Sequence, residues 1–250
     1  MALRDVAEVV TEFGIDQARI IGGHMVMLHV YRHGLGSHLY RATADADLGV
    51  PPIAVKEAGV IEALESRGYT RHGGNRYRRP VDEAADVVDE PYAVVDILVP
   101  AYTSRPRENR VVSPGLTTVE VPGLALALGR PAVEVRLDVA LSAGAALAID
   151  VSLPDEASSF VMKALAWERR GARKDIVDVW RMLEVLVATS PSQEIPAPEA
   201  VEAVRTAFRD GRAAGTRALV AELSLGDAAA RERWTRIQAL MLRCLPEVGR

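Results

Sequence analysis

Asp45 and Asp47 lie one residue apart in the segment RATADADL, Arg41 to Leu48. On a strand, residues i and i+2 share a face about 6.5–7 Å apart. Two carboxylates held together repel each other unless a cation intervenes. Mg²⁺ favours hard oxygen ligands and commonly takes one or two carboxylates, with water and substrate phosphates completing its shell. An exposed strand face, or aspartates that form turns, is the competing reading of this pair. Asp96 sharpens the choice, because it stands alone among apolar residues in AVVDILV. An unpaired buried charge costs several kcal/mol, so Asp96 requires a cation or a strong donor, with an arginine as one option. If its strand lies beside that of Asp45 and Asp47, the three carboxylates form a cluster able to hold metal for phosphoryl or nucleotidyl transfer.

Upstream, IIGGH sets Gly22 and Gly23 at a strand-to-helix junction. Glycines there permit close approach of a ligand to the backbone, and a helix N-terminus offers N–H groups to a phosphate. A simple tight turn needs the same residues. The pattern is neither G-x-G-x-x-G nor a Walker loop. His24 follows the glycines and is a candidate phosphate contact. His29 and His33 are spaced i,i+4, as zinc ligands can be, but with no adjacent Glu and no evident third ligand they read as surface or helix-end histidines.

The elements that must position these groups can be read from pattern. Residues 2–12 are expected to be a helix, ARIIGG a strand ending in two glycines, HMVMLHVYRHGLG a helix and ATADADLGV a strand stopped by Pro51-Pro52. On that strand Ala44, Ala46 and Leu48 would form the buried face. IAVKEAGVIEALESRG reads as one amphipathic helix capped by Gly68. NRYRRP, YAVVDILVP, RVVSPGLTTVEVPG and AVEVRLDVAL supply further strands. From Pro154 the chain becomes helical: DEASSFVMKALAWERRG, KDIVDVWRMLEVLVAT, then three more helices to about Leu245. The expectation is an α/β (α+β) domain over 1–153 followed by a helical domain over 154–250.

The resemblance rests on these residues together. Strand, Gly22-Gly23, helix, R-x-T-x-D-x-D and a lone Asp in an apolar strand resemble the DNA polymerase β-like nucleotidyltransferase superfamily, whose fold is a mixed sheet with flanking helices. GG…RATADADL is similar to the AbiEii/AbiGii-type toxin group, and so is FVMKALAWERRGARKDIVDVWRML, with Lys163, Lys174-Asp175 and Asp178. The resemblance implies Mg²⁺ or Mn²⁺ on Asp45, Asp47 and Asp96, with Asp96 also able to act as a base. It implies NTP phosphates cradled at Gly22 and Gly23, and support from Arg41 and Thr43. It implies Lys163 on the triphosphate, with Asp175 and Asp178 ordering the site from the helical half. As partners it implies an NTP, a tRNA 3′ end as acceptor and a cognate antitoxin. Two positions depart from the pattern: Gly23 stands where Ser is frequent, and Ala46 where Ile or Leu is usual. A small molecule or a protein as acceptor, or a catalytically degenerate binding module, are the alternatives. Read without the upstream motif, the Lys163–Asp178 block is an ordinary helix with a core stripe at Ile176, Val179, Trp180, Leu183 and Val187.

Composition bounds the rest. The 250 residues are 49% hydrophobic with a net charge of −4, which argues against indiscriminate coating of nucleic acid. RGYTRHGGNRYRR is nonetheless a local basic patch, with Tyr69 and Tyr77 as possible stacking groups for single-stranded nucleic acid; a charged hairpin edge is the alternative. Arg105, Arg107 and Arg110 add further positive charge. Cys244 is the sole cysteine, so neither an internal disulfide nor a cysteine metal site is expected. No run approaches ~20 apolar residues and no signal-peptide core is evident, so the expectation is a cytoplasmic protein without a membrane partner.

Overall fold

A computed structural model describes residues 1–40, 43–57, 59–81, 92–103, 105–113, 116–140, 146–189 and 194–245. The architecture is mixed α/β. In chain order the elements of the first half are α1 (Ala2–Glu12), β1 (Arg19–Ile21), α2 (Gly22–Arg32), β2 (Ala46–Gly49), α3 (Pro52–Glu57), α4 (Val60–Ser66), β3 (Thr70–Arg71), β4 (Arg76–Pro80), β5 (Tyr92–Pro100), β6 (Arg110–Ser113), β7 (Leu116–Val121), α5 (Leu124–Leu128), β8 (Val133–Ala140) and β9 (Ala146–Leu153). Then come α6 (Glu156–Arg170), α7 (Arg173–Thr189), α8 (Pro198–Ala207), α9 (Ala214–Glu222) and α10 (Asp227–Cys244).

The chain divides into two units. One comprises Met1–Met25 with Arg41–Asp155, and the other Val26–Tyr40 with Glu156–Arg250. The division therefore falls inside α2, a feature that a reading along the sequence does not reveal.

The first unit is built on a mixed sheet in which β5 is central. β2 pairs parallel with β5 over Val95–Leu98, along one edge. The other edge is shared: β4 runs antiparallel to Tyr92–Asp96, and β7 parallel to Leu98–Pro100. Strands β1 and β3 extend the sheet antiparallel to β2 and β4, and β6 pairs with β7. The apolar run in β5 matches this central place: Ala93, Val95, Ile97 and Val99 alternate onto one face and all are buried. β8 and β9 form a separate antiparallel ribbon.

α1 is strongly amphipathic, with Ala2, Val6 and Val9 buried on its inner face. That face also buries Asp5, which accepts hydrogen bonds from Arg79 Nη2 (2.5 Å), Tyr69 hydroxyl (2.9 Å) and Arg4 Nη2 (2.9 Å). Burial alone would raise the carboxyl pKa, but these donors outweigh it and hold Asp5 below the usual carboxylate value.

The segment expected to be one helix is two. Gly59 adopts a left-handed conformation (φ 63°) at the N-cap of α4, which separates α3 from α4. β2 is also shorter than its alternating pattern. It begins at Ala46, so Ala44 lies outside it and is exposed rather than on the buried face, while Ala46 and Leu48 are buried as expected.

In the second unit α7 is the central helix, packing against α6, α9 and α10. Ile176, Val179, Trp180 and Leu183 form its core stripe. Gly171, at φ 60°, turns the chain between α6 and α7. No helix among the described residues is long and apolar enough to cross a membrane.

Candidate carboxylate site

The strand register places Asp47 of β2 opposite Asp96 of β5, and Asp96 opposite Arg76 of β4. Neighbouring strands lie ~4.8 Å apart, so Asp47, Asp96 and Arg76 form one row across three strands. Asp45, just before β2, joins them: Arg76 Nη2 is 3.4 Å from its Oδ2. The sequence leaves open whether Asp96 meets a cation or an arginine, and the fold brings both possibilities to one place.

Asp96 is 7% exposed and both its oxygens are engaged. Arg76 Nε donates to Oδ1 (3.0 Å) and Nη2 to Oδ2 (2.6 Å), while Asn75 Nδ2 also donates to Oδ1 (3.1 Å). This is the bidentate fork that guanidinium geometry favours. Hydrogen bonding to Asp96 raises the Arg76 pKa further. Asp96 acts here as the anchor of Arg76.

The two glycines are packed against the acidic motif. Gly22 has φ +69°, and a Cβ added to it would fall 1.7 Å from Asp47 Oδ2. A Cβ on Gly23 would lie 2.9 Å from Thr43 Oγ1. Gly22, the first residue of α2, thus brings the positive end of that helix against the Asp47 carboxylate. His24 completes the contact set. Its Nδ1 is 3.0 Å from the Asp45 carbonyl oxygen, which can only accept, so Nδ1 carries the proton. Burial depresses the His24 pKa, which leaves the ring neutral with Nε2 unprotonated.

The donor chemistry of Asp45 and Asp47 fits a hard divalent cation. A cationic group already bridges Asp45 and Asp96, so the cluster's charge selects positive partners; Asp96 would join a metal shell only by giving up Arg76.

The remaining expected residues behave differently. Arg41 lies outside the described residues. Lys163, Asp175 and Asp178 belong to the helical unit and are bound up within it. Lys163 Nζ donates to Asp178 Oδ2 (2.7 Å), and Arg181 Nη1 to Asp178 Oδ1 (3.2 Å). Arg170 grips Asp175 through Nε (2.5 Å) and Nη2 (2.7 Å). Lys163, Asp175, Asp178 and Arg181 are buried.

The basic patch needs correction. Tyr69 and Tyr77 are each 1% exposed, so neither ring can stack on a base. Arg67 pairs with Glu12, Arg79 with Asp5 and Arg76 with Asp96, while Arg107 and Arg110 both reach the buried Glu120. His29 is also not a surface histidine; it is fully buried.

Arg76 and Asn75 are the site residues that sequence reasoning missed. Arg76 was visible only as one of several arginines; the register that sets it opposite Asp96 is a tertiary property. A cleft of about 490 Å³ lies elsewhere in this unit, lined by Arg19, Glu134 and Asp150 beside Val10, Ile15 and Val151, and none of the expected site residues lines it.

The chain matches no known family model and no curated protein sequence.

Proposed function

We propose that this chain is a nucleotidyltransferase of the polymerase β-like type. The observation that supports it best is that Asp47 lies opposite Asp96 on the neighbouring strand, Arg76 reaches both Asp96 and Asp45, and Gly22 is fitted against Asp47. Separate sequence motifs, Gly-Gly and D-x-D, meet in space as one unit.

The proposed reaction moves a nucleoside monophosphate from an NTP to an acceptor hydroxyl. The acceptor hydroxyl gives up its proton to solvent as its oxygen forms a bond to the α-phosphorus, the bond from that phosphorus to the bridging oxygen breaks, and pyrophosphate leaves. Asp45 and Asp47 would hold Mg²⁺, which when bound supplies neutralisation of the triphosphate charge. The N-terminus of α2 positions Asp47 and offers N–H groups nearby. Neutral His24 fixes the backbone at Asp45. Arg76 provides a second positive group at the edge of the cluster, suited to a phosphate oxygen. The family resemblance makes a tRNA 3′ end the first acceptor to try, with the chain as the toxin of a toxin–antitoxin pair. Small molecules and proteins are the other acceptor classes.

One observation favours a second reading. Both Asp96 oxygens are occupied by Arg76 and Asn75, so Asp96 is charge-compensated without a metal. A nucleotide-binding module without transfer activity would keep such an arrangement. Incubation with each α-labelled NTP and Mg²⁺, with total tRNA, small acceptors or protein, separates these readings. Label on any acceptor supports the enzyme. Nucleotide binding with no transfer to any acceptor favours the module.

A further inference from the structure

His29 and His33 lie one turn apart on α2, and the fold of the helical unit brings Glu156, in the first turn of α6, against both. The donor atoms of the three residues all lie within 4.8 Å of one another. His33 Nε2 is 2.9 Å and His29 Nδ1 3.8 Å from Glu156 Oε1. Zn²⁺ with bonds near 2.0–2.1 Å in a tetrahedron sets its donors about 3.3 Å apart, between these two spacings. We infer that His29, His33 and Glu156 form a binding site for a transition-metal ion of the zinc type.

Donor chemistry selects the ion. Two imidazoles and one carboxylate suit Zn²⁺, Ni²⁺ or Cu²⁺ and not Mg²⁺, which prefers oxygen. The site is therefore chemically distinct from the aspartate cluster, and it does not depend on the proposed nucleotidyl transfer. Outer contacts suit it as well. His29 Nε2 lies 3.1 Å from Ser159 Oγ; an Nε2–H donated to that hydroxyl turns the Nδ1 lone pair toward Glu156, as supporting partners of ligating histidines do. The His33 side chain is 17% exposed, which gives an ion access and leaves room for water as a fourth ligand.

Arg32 is the competitor. Its Nη1 donates to Glu156 Oε1 at 2.6 Å and lies 3.4 Å from His33 Nε2. Thr189 Oγ1 is also 3.3 Å from His33 Nε2. The Arg32 side chain is 42% exposed, so it can swing into solvent when an ion takes its place. Without metal, the guanidinium compensates Glu156; with metal, the ion does.

The test uses tag-free full-length protein stripped with a chelator. Titration with Zn²⁺ by calorimetry should give one ion per chain, and Co²⁺ should develop the visible absorption of a low-symmetry four-coordinate site. Excess Mg²⁺ should not displace either ion. His33→Gln, at the more exposed ligand, should lower Zn²⁺ affinity by more than about tenfold, at or beyond the scale of outer-shell losses. Arg32→Gln should keep one-to-one binding. His33→Gln is chosen over a change at fully buried His29 because it is the variant better able to fold, which its circular dichroism and melting curve check. No stoichiometric Zn²⁺ binding by the wild-type chain overturns the inference. So does equal binding by folded His33→Gln, or loss of binding in Arg32→Gln.

Discussion

Gly22 leaves no room for a side chain because Asp47 fills the space: a Cβ at Gly22 would sit 1.7 Å from Asp47 Oδ2. The glycine and the aspartate are 25 positions apart, yet each constrains the other. The contact gives the Gly-Gly motif a cause within the protein itself, since the close approach is made by a carboxylate whether or not a phosphate is bound.

That contact predicts a coupling. Gly22→Ala should destabilise the protein through the clash and through the left-handed φ, the latter alone contributing about 1–2 kcal/mol. Made in an Asp47→Ala background, the same change should lose its steric component. Denaturant unfolding of the four proteins in the cycle should give an interaction energy above ~1 kcal/mol. Additive effects would mean that the two residues do not meet.

Arg76 should be worth more to stability than its partly exposed position suggests. Arg76→Ala leaves Asp96 buried without its principal donor, and the expected loss is about 2 kcal/mol. The same variant removes a competing positive charge from Asp45 and Asp96. Divalent-ion titration should therefore show tighter Mg²⁺ binding in Arg76→Ala than in the wild type. Unchanged Mg²⁺ affinity would show that the guanidinium and the ion do not compete.

Asp5 supplies a pH dependence whose sign is set by its environment. Burial would raise its carboxyl pKa, but Arg4, Arg79 and Tyr69 together hold it below the ordinary value of 3.8 in the folded state. The unfolded chain therefore binds a proton first as pH falls. The stabilisation is fully present above about pH 3.8 and is lost as pH drops through the lower folded value. Wild type minus Asp5→Asn stability, from denaturant unfolding, should thus be constant from pH 7 to 5 and shrink below 3.8. A difference that grows on acidification would contradict this.

Asp178 holds two buried cations, Lys163 and Arg181. Asp178→Ala should cost about 3–5 kcal/mol, because it leaves charges buried without their anion. If Lys163 also serves the triphosphate, Lys163→Met will raise KM for NTP beyond what its loss of stability explains. An unchanged KM at a temperature where the variant is folded assigns Lys163 to structure alone.

The sequence carried much of this arrangement because local rules sufficed for it. The apolar run around Asp96 could only be an interior strand, and β5 is central. The helices from α6 onward follow from 3.6-residue periodicity. Failures came where one local conformation or one tertiary pairing decided the outcome. The left-handed Gly59 broke an otherwise continuous amphipathic pattern. Tyr69 and Tyr77 looked available because their neighbours are arginines, but β4 turns Tyr77 inward and Asp5 draws Tyr69 to α1. Arg76 became a site residue only through its register with Asp96. Glu156 joined His29 and His33 from more than 120 positions away, a distance that spacing rules for helical ligands do not span.

The aspartate cluster is proposed as the centre of a metal-dependent nucleotidyl transfer. The most direct measurement is label transfer from each α-labelled NTP to total tRNA, small acceptors or protein, run with Mg²⁺ and with chelator, for the wild type, Asp45→Ala and Asp47→Ala. Transfer by the wild type is expected with Mg²⁺ and not with chelator, and each folded variant should lose at least ~10²-fold. Transfer that persists in Asp45→Ala and Asp47→Ala, or no transfer to any acceptor by the wild type, would contradict it.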